Sequence, residues 1–149
     1  MTIRVKFKRI SGNDLPLPAY ATEGAAGMDL RAFLPNGPMR IEPGTVTLIS
    51  TGFCVELPLE AEMQIRARSS LALKRRIIIP NSPATIDSDY RGEIFVGLYQ
   101  LGEETTVIAH GDRFAQAIIA PVIRADVVEV EVLSDTARGN GGFGSTGRT

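Results

Sequence analysis

The chain has 149 residues, with 16 Lys and Arg against 17 Asp and Glu, one His, one Cys and a net charge of −1. That balance argues against non-specific binding to a nucleic-acid backbone, which needs a basic face, and no apolar run reaches the length of a membrane span. A single cysteine excludes an internal disulfide, and the length suits one domain that buries roughly two-thirds of its unfolded surface without staples.

Fifteen glycines and nine prolines fall about once in six residues, close to the length of a strand. Composition therefore predicts an all-β fold of many short strands. The opening MTIRVKFKRI turns Ile3, Val5 and Phe7 one way and Arg4, Lys6 and Lys8 the other, and holds no signal-peptide core. Turn signals follow at Pro35-Asn36-Gly37-Pro38 and Pro43-Gly44. Phe53, Val55 and Leu57 alternate around Cys54 and Glu56, and Cys54 reads as a small buried hydrophobe. Met63, Ile65 and Ala67 alternate with Gln64, Arg66 and Arg68. One short helix is expected from Ser69 to about Arg76, with a Ser N-cap and good helix formers after it. Ile77–Ile79 and Phe114–Ile119 lack alternation and read as strands buried on both faces, with turns at Asn81-Ser82-Pro83 and His110-Gly111-Asp112. His110 reads as a loop residue, and Asp112-Arg113 as a turn with a salt bridge. Val128, Val130 and Val132 alternate with Glu129 and Glu131 as a last strand. From Ala137 the chain reads ARGNGGFGSTGRT, which offers too little apolar surface to order itself. The expected organisation is one β domain over 1–136 and a flexible Gly-rich tail over 137–149.

Three segments carry chemistry by residue type. Arg68-Ser69-Ser70 opens the helix, where free N–H groups attract anions and a guanidinium donates two parallel bonds to phosphate. The plain alternative is a Ser cap beside a surface Arg. The segment Ala84–Ile94 holds Asp87 and Asp89 in a turn, where an acid serves as general base, as metal ligand or only as an Asx turn. Gly139-x-Gly141-x-x-Gly144 matches the dinucleotide fingerprint in form only, because five residues follow it and no helix can. What survives is a row of backbone N–H groups able to cradle phosphate, with hydroxyls from Ser145 and Thr146. No His–Cys pairing suits a structural zinc.

Five segments in order complete a pattern: Ala25-Ala26-Gly27-Met28-Asp29-Leu30; Arg68-Ser69-Ser70-Leu71-Ala72; Ile86-Asp87-Ser88-Asp89-Tyr90-Arg91-Gly92; Gly111-Asp112-Arg113-Phe114-Ala115-Gln116; and Arg138 through Gly147. In this the chain resembles the trimeric dUTPases. The resemblance implies an all-β, jelly-roll-like β-clip barrel and a cytoplasmic homotrimer with active sites shared between subunits. It implies Mg²⁺-dependent hydrolysis of dUTP to dUMP and pyrophosphate, which limits uracil in DNA and supplies dUMP for dTMP synthesis. By the same resemblance Asp87 is the base for the water that attacks the α-phosphorus, and Tyr90 packs under the deoxyribose. Asn81, Thr85, Ile86 and Phe95 read uracil, while Arg68, Ser69, Ser70 and Gln116 hold phosphate or the water. Arg138, Phe143, Gly144, Ser145 and Thr146 close the tail over the nucleotide, and Asp29 holds waters of the Mg²⁺ shell. Ser70 and Ala84 stand where the family has Gly, a cost of about 1 kcal/mol wherever φ must be positive. The alternatives are a dCTP deaminase, whose catalytic Glu aligns with Gly97 here, and a trimeric nucleotide-binding regulator. Intact Asp87 and a complete tail favour hydrolysis.

Overall fold

The structure, a computed structural model, describes residues 2–142. Its elements run β1 (Lys6–Arg9), β2 (Ala19–Tyr20), β3 (Met28–Arg31), β4 (Met39–Ile41), β5 (Val46–Glu56), β6 (Ala61–Ala67), α1 (Ser69–Arg75), β7 (Ile77–Ile78), β8 (Ala84–Ile86), β9 (Glu93–Gln100), β10 (Thr106–Ile108) and β11 (Arg113–Pro121). All the pairings between strands are antiparallel. One sheet has the order β1-β5-β9-β7, a second β2-β3-β11-β6-β8, and β10 pairs with β4. The expected all-β, jelly-roll-like architecture is what forms.

Alternation builds the core. Phe53, Val55 and Leu57 on β5 and its exit are buried, as are Met63 and Ile65 on β6 and Ile94, Val96 and Leu98 on β9. One cluster joins all of these except Phe53, which packs edge-on against Phe7, to Leu30, Ile41, Ile77 and Phe114, so both large sheets and the small one feed the same interior. Each such side chain is worth about 1.5–3 kcal/mol in apolar burial. Cys54 departs from expectation. It takes the opposite face of β5 from Phe53 and Val55, opposite Lys8 and Glu93, and is only half-buried. The strand expected at Val128, Val130 and Val132 does not form within the described residues. These side chains are 69%, 56% and 83% exposed, because an alternating strand has no stability without a partner edge and none is offered to it here.

The helix forms where expected, but its cap is one residue earlier. Pairing of β6 with β11 runs out at Ala67↔Ala115, so Arg68 is the extended residue (φ −78, ψ 140) that turns into α1. The Arg68 carbonyl accepts from the Leu71 and Ala72 amides at 3.1 Å each, and no side chain caps the helix. Ser69 and Ser70 therefore lie in the first turn rather than at the cap. The other end stops on Arg76 in the left-handed region (φ 54), its N–H donating to the Leu71 carbonyl. A non-glycine residue there is strained, so Arg76→Gly should stabilise the fold by about 0.5–1 kcal/mol, read as a rise in melting temperature of a few degrees.

Candidate active site

Adjacent strands β3, β11 and β6 bring three of the sequence segments together. Gln116 on β11 sits opposite Asp29 on β3 and Arg66 on β6. Asp29 spans two guanidiniums: its Oδ1 lies 3.1 Å from Nε of Arg68, and its Oδ2 accepts from Nη1 of Arg113 at 3.0 Å. Arg68 also donates through Nη1 to the Arg113 carbonyl at 3.0 Å. Gln116 is held by donation from Nε2 to the Ala67 carbonyl at 3.0 Å. A Cβ on Gly27 would stand 2.6 Å from Oε1 of Gln116, so the glycine makes room for that amide. The amides of Ser69 and Ser70, one step past Arg68, precede the first bonded turn and are free of helix bonds. Two guanidiniums share one carboxylate here, which leaves a net positive charge facing any anion.

Arg113 is the site residue that sequence reasoning missed. It was expected to pair with its neighbour Asp112, but Asp112 instead accepts from the Ala109 amide at 2.9 Å and closes the turn. A basic residue opening a strand directly after a turn was the available signal. His110 is a loop residue as expected, with Nδ1 accepting from the Leu34 amide and Nε2 2.9 Å from Asp14.

The second group of residues lies at the far edge of the same sheet. β8 pairs with β6 in the register Ile65↔Ala84, Gln64↔Thr85, Met63↔Ile86. The turn beyond it is stapled by the Tyr90 amide donating to the Asp87 carbonyl and by Arg91 Nη1 donating to Ser88 and Tyr90 carbonyls. The Tyr90 hydroxyl donates to the Glu93 carbonyl at 2.8 Å. A Cβ on Gly92 would come within 2.4 Å of that hydroxyl, so Gly92 lets the ring lie down on the turn. Asp87 is exposed and has no ion pair among the described residues, which leaves its carboxylate available as a base. Asn81, Ala84 and Phe95 line an apolar cavity of about 420 Å³ with Val46 and Leu48. The two departures at Ser70 and Ala84 carry no backbone strain, since Arg76 is the residue other than glycine with positive φ among the described ones.

The two groups are far apart within one chain. Beyond Met63↔Ile86 the ladder carries Asp87 to Glu62, and both line one cavity. Arg68 stands six residues further along β6 and its exit, about 20 Å away at the rise of a strand. Arg138 folds onto its own segment, donating from Nε to the Gly141 carbonyl at 2.9 Å. Phe143, Gly144, Ser145 and Thr146 lie outside the described residues. Among the described residues no three His, Cys, Asp or Glu side chains gather as a metal cage, and both Asp29 oxygens are engaged by arginines. No described helix is long and apolar enough to cross a membrane.

Known proteins resemble the chain in sequence and in fold. A family model for dUTPase matches residues 13–147. The chain is 53% identical over 147 residues to the deoxyuridine 5'-triphosphate nucleotidohydrolase of Caulobacter vibrioides, covering 97% of this chain and 95% of that one. It is 55% identical over 130 residues to the protein of that name from Treponema pallidum, covering 87% and 89%. In fold it is similar to a mutant dUTPase of Staphylococcus bacteriophage 80alpha with dUpNHpp, at a TM-score of 0.83, 22% identity and coverage of 98% and 99%. A mutant dUTPase from phage phi11 of S. aureus, described with a structural Mg(II) ion, follows at a TM-score of 0.77 and 18% identity, covering 89% and 100%. With the motif residues laid out on this frame and the family model spanning nearly its whole length, the chain belongs to the dUTPase family of dUTP-hydrolysing enzymes.

Proposed function

We propose that the chain assembles as a homotrimer and hydrolyses dUTP to dUMP and pyrophosphate at sites shared between subunits. The observation that carries this reading is the gap of about 20 Å along β6 between Asp87 and Arg68. A general base must come within about 3 Å of the proton it takes, and a backbone gap of this size sets one chain's Asp87 away from phosphates held by its own Arg68. A neighbour's Arg68 can be reached, and closed rotational symmetry is the usual way for identical chains to repeat such a contact. The exposed alternation of Val128, Val130 and Val132 supports the same reading, because a strand without a partner in its own chain is satisfied on a neighbour's sheet edge.

In this site Asp87 deprotonates the water that attacks the α-phosphorus. Arg68, Ser69, Ser70 and Gln116 hold the phosphates, and Arg113 joins them through Asp29. Tyr90 lies under the deoxyribose and leaves no space for a 2′-hydroxyl. Asn81, Thr85, Ile86 and Phe95 take the base. The segment 137–149, with Arg138, Phe143, Gly144, Ser145 and Thr146, closes over the nucleotide from a single β domain spanning 1–136. Mg²⁺ would be carried on the triphosphate, and Asp29, whose two oxygens each keep a lone pair beyond the arginine contact, would hold waters of its shell. When bound, the ion neutralises phosphate charge, and an ion that keeps its waters needs no protein cage. A net charge of −1 with its cations gathered at one small cavity fits a cytoplasmic enzyme of small nucleotides rather than a non-specific nucleic-acid binder.

Pyrophosphate release measured across dUTP, dTTP, dCTP and UTP, with and without Mg²⁺, tests the activity, and light scattering tests the assembly. Release from dUTP alone, by a trimer, and weakened by chelation is expected. An active monomer near 16.0 kDa, or ammonia from dCTP, would overturn the reading.

A further inference from the structure

Two cations beside the phosphate clamp, Lys74 and Arg75, are not used by any of these roles. Arg68, Ser70, Lys74, Arg75, Asp112 and Arg113 line a single cavity of about 390 Å³. Ser70 and Lys74 are one turn apart on α1, about 6 Å along its axis, and so face the cavity together. Arg68 and Arg113 are partly neutralised by Asp29, and Asp112 is committed to the Ala109 amide. Lys74 and Arg75 have no hydrogen bond and no carboxylate within ion-pair distance among the described residues. Glu103 and Glu104 border the neighbouring cavity that these two cations also touch, but neither reaches them as an ion pair. Two unspent positive charges thus extend the phosphate clamp along the helix.

We propose that Lys74 and Arg75 form a pyrophosphate-holding extension of the site, which grips the two distal phosphates of the substrate and retains them after the α-phosphorus bond breaks. The proposal rests on reading Arg68 and Arg113 as phosphate donors, and adds that pyrophosphate binds here with no nucleoside attached. The lysine acts as a point charge and the arginine as a bidentate donor, so both pull on any oxygen-rich anion that enters from the Arg68 end. The attraction is electrostatic in an open cavity and must weaken as salt is added.

The test is calorimetric titration of the full-length assembled protein with magnesium pyrophosphate and, separately, with dUMP. Lys74→Gln, Arg75→Gln, the double variant and Lys74→Arg are compared with the parent chain. The double variant should bind pyrophosphate about tenfold more weakly while its affinity for dUMP changes by less than about twofold, and Lys74→Arg should keep most of the binding. Unchanged pyrophosphate affinity in the double variant overturns the proposal. Equal losses for pyrophosphate and dUMP overturn it as well, since they mark general damage to α1. If the parent chain releases pyrophosphate from dUTP yet binds none, this inference falls and the activity stands; if it does not turn over dUTP, the activity itself falls.

Discussion

Asp87→Asn should fold, assemble and bind nucleotide like the parent chain, yet turn over dUTP on the order of 10²–10⁴-fold more slowly. Asp87 follows β8 immediately, and its backbone carbonyl, not its side chain, holds the turn by accepting from the Tyr90 amide. The exchange of one carboxylate oxygen for an amide leaves that geometry alone and removes the proton acceptor. Stability should move little, because the side chain is exposed and carries no ion pair among the described residues. Steady-state pyrophosphate release beside a melting curve separates the two quantities. Near-parental turnover would remove Asp87 from the base role. Asp89→Asn, two residues on in the same turn, is the internal control and should lose far less.

Asp29→Asn is expected to be the other severe change, for a different reason. Its carboxylate holds Arg68 and Arg113 at 3.1 and 3.0 Å, with the side chains 21%, 27% and 46% exposed. Half-exposed ion pairs contribute little to folding, about 0–1 kcal/mol each, so the melting temperature should fall by only a few degrees. Catalysis depends on placement rather than on net attraction. Two guanidiniums released from their shared anchor drift by an ångström or more, and misplacement on that scale costs up to about 10²-fold in rate. The loss should appear in kcat/KM for dUTP, while uridine-only contacts at the distant hairpin keep dUMP affinity closer to parental. An Asp29→Asn protein with intact kcat/KM would show that the clamp is incidental.

Much of this arrangement was legible in the chain because period-two alternation and turn chemistry are local. Phe53, Val55, Met63 and Ile65 declared their buried faces, and Ser69–Arg75 declared its helix through good helix formers bounded by strands. What escaped was set by pairing across long separations. The cap moved from Ser69 to Arg68 because β6 happens to stop pairing with β11 at Ala67, a fact no neighbour in sequence encodes. Arg113 was assigned to Asp112 beside it, whereas its partner Asp29 lies 84 residues away and meets it only through the β3–β11 ladder. Cys54 has apolar neighbours in sequence, but the face of β5 it takes is set by the register with β1 and β9, which puts it opposite Lys8 and Glu93. The motif residues themselves were found by their order along the chain, while the separation of Asp87 from Arg68 came only with the register of β8 on β6.

That separation has a genetic consequence. If each live centre draws its base from one chain and its phosphate grip from another, two dead proteins can repair one another. A chain lacking the Asp87 carboxylate still offers a sound Arg68, and a chain lacking the Arg68 guanidinium still offers a sound Asp87. Co-folded in one cell, they would form mixed rings in which a single junction unites the two intact halves, and activity would reappear where neither parent had any. A monomeric enzyme with all its groups on one chain could never be rescued in this way.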